Sequence, residues 1–270
     1  MSKYGFDHAW AGERERMVLA ELFLDPVSIR QLEAVGVGQG WRCLEVGAGA
    51  GSIARWLSHQ VGPGGRVLAT DIDTRFVASL AAAADDSQAG PLEVRRHDIV
   101  ADAPLPAEFD LAHTRLVLQH LAARGEAVKR MAAAVVPGGW VVAEELDFIA
   151  STAATPLGAR SFERVEQAIH RLLSVSGFEA GCGRALPGLL QAAGLVDVQA
   201  PGALSVVNGG SPMAVWYRRT IEALRSRLVT SGMVTEEEAA EAIAHLDDPA
   251  FSLMTPVLIS ARGRKPEQSG

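Results

Sequence analysis

The sequence predicts an α/β protein built on a doubly wound, mostly parallel sheet of seven strands, and three observations carry that prediction. An apolar run, Cys43-Leu44-Glu45-Val46, stops at the alternating Gly47, Gly49 and Gly51 and passes into the helix-compatible Ser52 to Leu57. That order is a strand, a tight turn and a helix. Further strand-length runs alternate with helical stretches along the 270 residues, the signature of βαβ units. Hydrophobic residues make up 48% of the chain, enough for a substantial core.

Taken in order, residues Ala9 to Val35 carry Glu13, Arg14, Glu15 and Arg16 among apolar groups at helical spacing, and Asp25-Pro26 is expected to break the run into two helices. The glycines after the first strand supply positive φ and let a ligand approach the backbone at a helix N-terminus. Gly62-Pro63-Gly64-Gly65 is a turn, and Arg66 to Asp71 is the second strand. Asp73 and Thr74 are placed to cap a helix from Arg75 to Ala84. Leu92 to Arg96 alternates as the third strand, with His97-Asp98-Ile99 at its end, and Phe109 to His113 is the fourth. Thr114, Arg115 and a helical Leu116 to Leu121 follow, then a helix from Arg124 to Val135. Pro137-Gly138-Gly139 turns into the fifth strand, Trp140 to Asp147.

Beyond Asp147 the pattern gives a helix over Pro156 to Val175, another over Gly183 to Ala193 ending at Gly194, and a sixth strand over Leu195 to Leu204. Met213 to Leu228 is an amphipathic helix with Trp216 and Tyr217, and Thr235 with Glu238 forms a capping box for a helix through Leu246. These two helices read as an insertion, residues 211–248, before the last strand, Leu253 to Ala261. Residues 263–270 read as a polar, frayed tail.

The formal net charge of −7 argues against an electrostatic grip on nucleic acid and in favour of a small-molecule substrate. Two cysteines, Cys43 and Cys182, make neither a disulfide framework nor a zinc site, which fits a reducing cytoplasm. The first residues lack the basic and apolar segments of a signal peptide, and no long uninterrupted apolar stretch predicts a membrane span. His113 and His120 lie seven apart, which is no metal-ligand spacing; Glu144, Glu145 and Asp147 are able to bind a hard cation, but the two adjacent glutamates face opposite sides of the strand, so no metal is expected. The aromatic helices of the insertion are equally suited to covering an acceptor or to a homodimer contact.

The glycines alone allow two ligand classes. Gly49, Gly51 and Ala54 satisfy the dinucleotide fingerprint, and Asp71 stands where its ribose-binding acid belongs, so an NAD(P)-dependent oxidoreductase is allowed. Neither Tyr4 nor Tyr217 is followed four residues later by the lysine that a short-chain dehydrogenase pairs with tyrosine. Gly47, Gly49 and Gly51 with Glu45 two residues earlier resemble instead motif I of the class I S-adenosylmethionine-dependent methyltransferases, whose cofactor is cationic. The resemblance extends without a gap from Trp41 to the Pro-Gly-Gly turn and Asp147.

That resemblance implies a single Rossmann-like methyltransferase domain over residues 1–270: an N-terminal helical cap over 1–38, a cofactor-binding core over 41–148, and a substrate-side half over 149–262. It implies S-adenosyl-L-methionine held by Tyr4, Glu45, Gly47, Ala48, Gly49, Gly51, Asp71, Ile72, Asp98, Ile99 and His113. In this reading Asp71 accepts from the ribose hydroxyls, and Asp98 accepts from the adenine amino group while Ile99 packs on the ring. Tyr4, Phe6 and Trp10 of the cap close over the ligands, and Arg14 or Arg16 meets the cofactor carboxylate. The expected reaction is methyl transfer to an oxygen, nitrogen or carbon nucleophile of a small molecule, with release of S-adenosylhomocysteine. The sequence is similar in style to bacterial enzymes that decorate natural products, including aromatic and indole-containing ones. A non-catalytic cofactor-binding protein is the other alternative. Candidates for acceptor chemistry are Glu145, Asp147 and His113, with Arg115 as orienter. Glu145 is the residue counted onto the crevice face with Asp147, and Glu145→Gln is expected to lower turnover at least about tenfold.

Overall fold

The computed structural model describes residues 12–78, 87–149 and 160–267. Its main sheet joins β1 (Arg42–Val46), β2 (Arg66–Asp71), β3 (Leu92–Arg96), β4 (Phe109–Arg115) and β5 (Val135–Asp147) in parallel, in the spatial order β3-β2-β1-β4-β5. The order reverses between β1 and β4, which opens a crevice at the carboxyl ends of those strands. Side chains alternate between two buried faces, because both are covered by helices. Leu44, Ala112, Val141 and Ala143 pack on one face, and Cys43, Leu111 and Val142 on the other.

Helices α1 (Glu13–Ala34) and α2 (Ser52–Val61) cover the Cys43 face. The other face is covered by α3 (Arg124–Ala134) and by α5 (Cys182–Ala192), which follows α4 (Arg160–Ser174) in the chain. Cys182 is therefore a buried first residue of a helix and not a loop residue. A third apolar cluster lies above the crevice, where α1 and α4 meet α6 (Pro212–Thr230) and α7 (Glu236–Asp247). The capping box expected at Thr235 and Glu238 starts α7.

Four sequence expectations are corrected. Pro26 lies inside one continuous α1. Its ring removes a bond to the carbonyl of Leu22, on the solvent side of the helix, while buried Leu24 and Leu32 hold the turns on either side. The sixth strand is two, β6 (Val196–Gln199) and β7 (Gly202–Ala203), separated at Pro201, which lacks a ladder donor. The last strand is also two. β9 (Ser252–Met254) pairs with β8 (Val206–Asn208), and β10 (Val257–Arg264) runs antiparallel to β5, β6 and β7, so the main sheet has eight strands. The chain end is tied in, because Lys265 donates its N–H to the Gly139 carbonyl and accepts from the Gly138 N–H.

The stretch 116–121 is a short 3₁₀ turn, Leu118–His120, entered through Leu116 at φ +57°. Among the described residues, no helix is long and apolar enough to cross a membrane.

Candidate active site

One cavity occupies the crevice, and its first half is built by the β1–α2 turn and the ends of β2 and β3. Gly47, Gly49 and Gly51 all have positive φ. The Thr70 carbonyl accepts from the N–H groups of Gly47 (2.8 Å) and Ala48 (3.0 Å). Asp71 accepts from Gly49 N–H through Oδ2 and from Asp73 N–H through Oδ1, each at 3.0 Å. Asp71 thus holds the turn. A Cβ on Gly47 would lie 2.1 Å from Val117 Cγ2, whereas one on Gly49 would meet nothing within 4 Å. The turn is therefore sealed against the 3₁₀ segment at Gly47 and open at Gly49.

Ala48, Ile72, Phe76, Asp98 and Ile99 continue this wall. Asp98 Oδ1 accepts from the N–H groups of Val100 (2.9 Å) and Ala101 (3.0 Å), so it also turns the chain. Tyr4, with Phe6 and Trp10, lies outside the described residues. Arg16 lines the cavity but is engaged by Glu13 at 2.8 and 2.7 Å; Arg14 is exposed and does not line it.

Neighbouring strands β1, β4 and β5 place Glu45, His113 and Glu144 on one face. His113 Nδ1 lies 2.6 Å from Glu45 Oε2, and its Nε2 lies 3.2 Å from Glu144 Oε2. Ser260 donates to the other Glu144 oxygen at 2.5 Å. Burial alone would depress the imidazole pKa, but the charge of Glu45 and bonds to both carboxylates push it up to about 9. Burial also opposes ionised Glu144, yet its bond to His113 and the imidazolium charge hold it below the usual carboxylate range. The cluster carries one net negative charge, and of its three members only Glu45 lines the cavity. His113 is therefore corrected from acceptor-side base and cofactor contact to a buried ion-pair centre.

Glu145 and Asp147 do share a face, as counting by two predicts, but that face turns toward α5 and not the cavity. Asp147 pairs with Arg184 at 2.5 and 2.9 Å. Glu145 Oε1 accepts from the N–H groups of Val117 (2.9 Å) and Leu118 (2.6 Å), while Oε2 is buried without a partner. Burial pushes its pKa up to about 8, although those backbone donors pull the other way. Glu145 is a positioning residue for the 3₁₀ turn, held as a neutral acid near pH 7. Glu145→Gln, nearly its isostere, is now expected to leave turnover within about threefold and stability within about 1 kcal/mol of the parent. An acid with a raised folded pKa loses stabilising power as pH rises from 4.5 toward 8. Denaturation across that range should show a shallower decline in the variant.

Arg115 reaches the cavity as expected, but as a fastener. It donates to Ser28 Oγ and Asp25 Oδ1, both at 2.8 Å, and Ser52 Oγ donates to the same Asp25 oxygen at 2.9 Å. Glu21 accepts from Ser52 N–H at 3.1 Å, so α1 caps α2 at the cavity mouth. Sequence reasoning left Glu21, Asp25 and Ser28 unassigned, because only the long-range docking of α1 brings them here.

The second half of the cavity is aromatic. Phe148, His170 and Phe178 are mutually packed, with His170 centred 4.7 Å from Phe148 and 5.7 Å from Phe178. Trp216 and Tyr217 complete the wall with Gln119, His120 and Glu166. Burial, with Arg16 nearby, lowers the His120 pKa to about 3, and burial lowers His170 to about 4, so both rings are neutral. The amphipathic helix that carries Trp216 and Tyr217 was legible in the sequence; the i, i+4 pair Glu166 and His170 on α4 was the signal available for this wall and not used. Among the described residues, no group of three His, Cys, Asp or Glu is placed to hold a metal ion.

Residues 44–141 match a family described as a methyltransferase domain. Methyltransferase str2 of Strobilurus tenacellus is 34% identical over 121 residues, 44% of this chain and 40% of that protein. The nocamycin O-methyltransferase of Saccharothrix syringae is 38% identical over 90 residues, 33% of this chain and 32% of its own. The chain thus spans less than half the length of these curated relatives. Among solved structures, a Haemonchus contortus phosphoethanolamine N-methyltransferase, in complex with phosphomonomethylethanolamine and S-adenosylhomocysteine, aligns with a TM-score of 0.58 at 15% identity. That alignment covers 94% of this chain and 58% of the other. At that identity the likeness is one of fold.

Proposed function

We propose, from the methyltransferase-domain match over residues 44–141, that the protein is a class I S-adenosylmethionine-dependent methyltransferase that transfers a methyl group from S-adenosylmethionine to a small-molecule acceptor and releases S-adenosylhomocysteine. The observation that carries this reading is the continuity of the cavity, which runs from the glycine turn, Asp71 and Asp98 to an aromatic box at Phe148, Phe178, Trp216 and Tyr217. A cofactor site and an acceptor site thus share one space.

The residues present suit the cofactor. Gly49 leaves open the space a side chain would fill. Asp71 and Asp98 offer carboxylate oxygens at two strand ends, with the apolar Ile72, Phe76 and Ile99 along the same wall. The net negative Glu45–His113–Glu144 cluster favours a ligand with a sulfonium and an ammonium group. When bound, the cofactor supplies an electrophilic methyl group. The chain supplies orientation, which lowers such barriers by roughly 7–11 kcal/mol, and walls that exclude water.

The matched Strobilurus protein and the nocamycin enzyme support a place in natural-product chemistry. Incubation with S-adenosylmethionine and a panel of aromatic, indole-type and aliphatic acceptors, read by mass spectrometry, tests the reading. One methyl added to an acceptor together with stoichiometric S-adenosylhomocysteine is expected. Asp71→Ala, which frees Gly49 N–H and removes the proposed ribose acceptor, should weaken cofactor affinity at least about tenfold. Unchanged affinity in that variant would remove Asp71 from the site.

A further inference from the structure

Glu166 and His170 stand one helical turn apart on α4 and both line the aromatic half of the cavity. The Tyr217 hydroxyl donates to Glu166 Oε1 at 2.9 Å, and among the described residues no other hydrogen bond reaches this carboxylate. A pair serving only to satisfy the tyrosine hydroxyl needs a neutral acceptor, not a carboxylate on an apolar wall. Burial pushes the Glu166 pKa up to about 7 against the Tyr217 bond, with Glu163 adding to the rise. Trp216, on the same wall, carries a buried indole N–H that finds no partner among the described residues.

The aromatic face that would best hold a cationic guest is already taken. His120 and His170 are neutral, and the Arg16 guanidinium, itself paired with Glu13, lies 5.9 Å from the Trp216 ring centre.

Resting on the methyltransferase reading above, we propose that the acceptor is a neutral, planar molecule bearing a hydroxyl group, and that Glu166, held by Tyr217, receives the hydroxyl proton. The acceptor oxygen forms the new bond to the methyl carbon, the pair of the broken carbon–sulfur bond stays on sulfur, and the proton becomes the carboxylic acid hydrogen of Glu166. Trp216 Nε1 then serves an oxygen elsewhere on the same acceptor.

Three probes test this without cofactor, by tryptophan fluorescence: 2-naphthol, its methyl ether, and 2-naphthylmethylammonium. The naphthol is expected to bind at least about tenfold tighter than either of the others. The paired replacement Glu166→Leu with Tyr217→Phe leaves no orphaned partner and should shrink that preference to below about threefold. With S-adenosylmethionine present, Glu166→Gln, which keeps an acceptor for Tyr217, should slow naphthol methylation at least about thirtyfold. The loss should be smaller for a nitronaphthol that ionises unaided. Ammonium binding as tight as naphthol, naphthol binding no tighter than its ether, or full-rate methylation by Glu166→Gln would each overturn the proposal. Failure of S-adenosylmethionine to bind the parent protein in a separate titration would instead sink the methyltransferase reading and leave the binding preference standing.

Discussion

His113→Ala is expected to lower the unfolding free energy by about 3–5 kcal/mol, the largest stability loss at any polar position in the sheet. The imidazole is fully buried between Glu45 and Glu144, and its removal leaves two carboxylates facing a void with only Ser260 still donating to one of them. The pH dependence separates this ion pair from simple packing. A base whose folded pKa is raised contributes its full stabilisation below pH 6.5 and loses it as pH rises through about 9. Glu144 contributes in the opposite direction, because its lowered pKa supplies stability above the ordinary 4.5 that is lost on acidification. Glu145 and Glu166, raised to about 8 and about 7, add to the decline at lower pH, so the parent should still decline between about pH 8 and 9, and the His113→Ala curve should lack most of that part. An equally steep decline in the variant would assign the alkaline loss to other groups.

Gly47→Ala is expected to weaken S-adenosylmethionine binding at least about thirtyfold, or about 2 kcal/mol. Two effects combine. The backbone sits at φ +73°, where a side chain costs roughly 1–2 kcal/mol. The new Cβ would also lie 2.1 Å from Val117 Cγ2, so the 3₁₀ turn held by Glu145 must move. Gly40→Ala is the control. Gly40 has a similar φ of +82° but open space around the new Cβ, so that substitution carries strain without collision. It should lower stability modestly and leave cofactor affinity unchanged. Equal effects from the two variants would show that strain, not contact with Val117, controls the site.

Local signals made the sheet legible. The strand ends at Val46, Asp71 and Arg96 follow from apolar runs that stop at turn residues, and the parallel pairing follows once those runs are separated by helices. Breaks near prolines were harder to read. Pro26 was tolerated inside a helix because Leu24 and Leu32 are buried on either side of it, an override by packing that propensity does not carry. The last strand divided before Val257 because Ser252 to Met254 found a separate partner in Val206 to Asn208.

The candidate site divides in the same way. Asp71, Asp98 and the glycines sit beside ligand space because strand ends face the crevice in any doubly wound sheet. The two-residue period correctly put Glu145 with Asp147, but period alone gives no sign of which face meets the cavity, and here it is the opposite face, through Glu45. His113 was visible as a strand-end imidazole, yet its two carboxylate partners lie 68 and 31 residues away in sequence. The aromatic wall, with Glu166 on α4 and Tyr217 on α6, exists only through helix packing.

The most direct test of the central claim is calorimetric titration of the purified protein with S-adenosylmethionine, S-adenosylhomocysteine and NADH in parallel. Binding of the first two at micromolar concentrations, weakened in Asp71→Ala, with no heat from NADH, is the predicted result. Binding of NADH alone would contradict the account and assign the glycine turn and Asp71 to hydride chemistry.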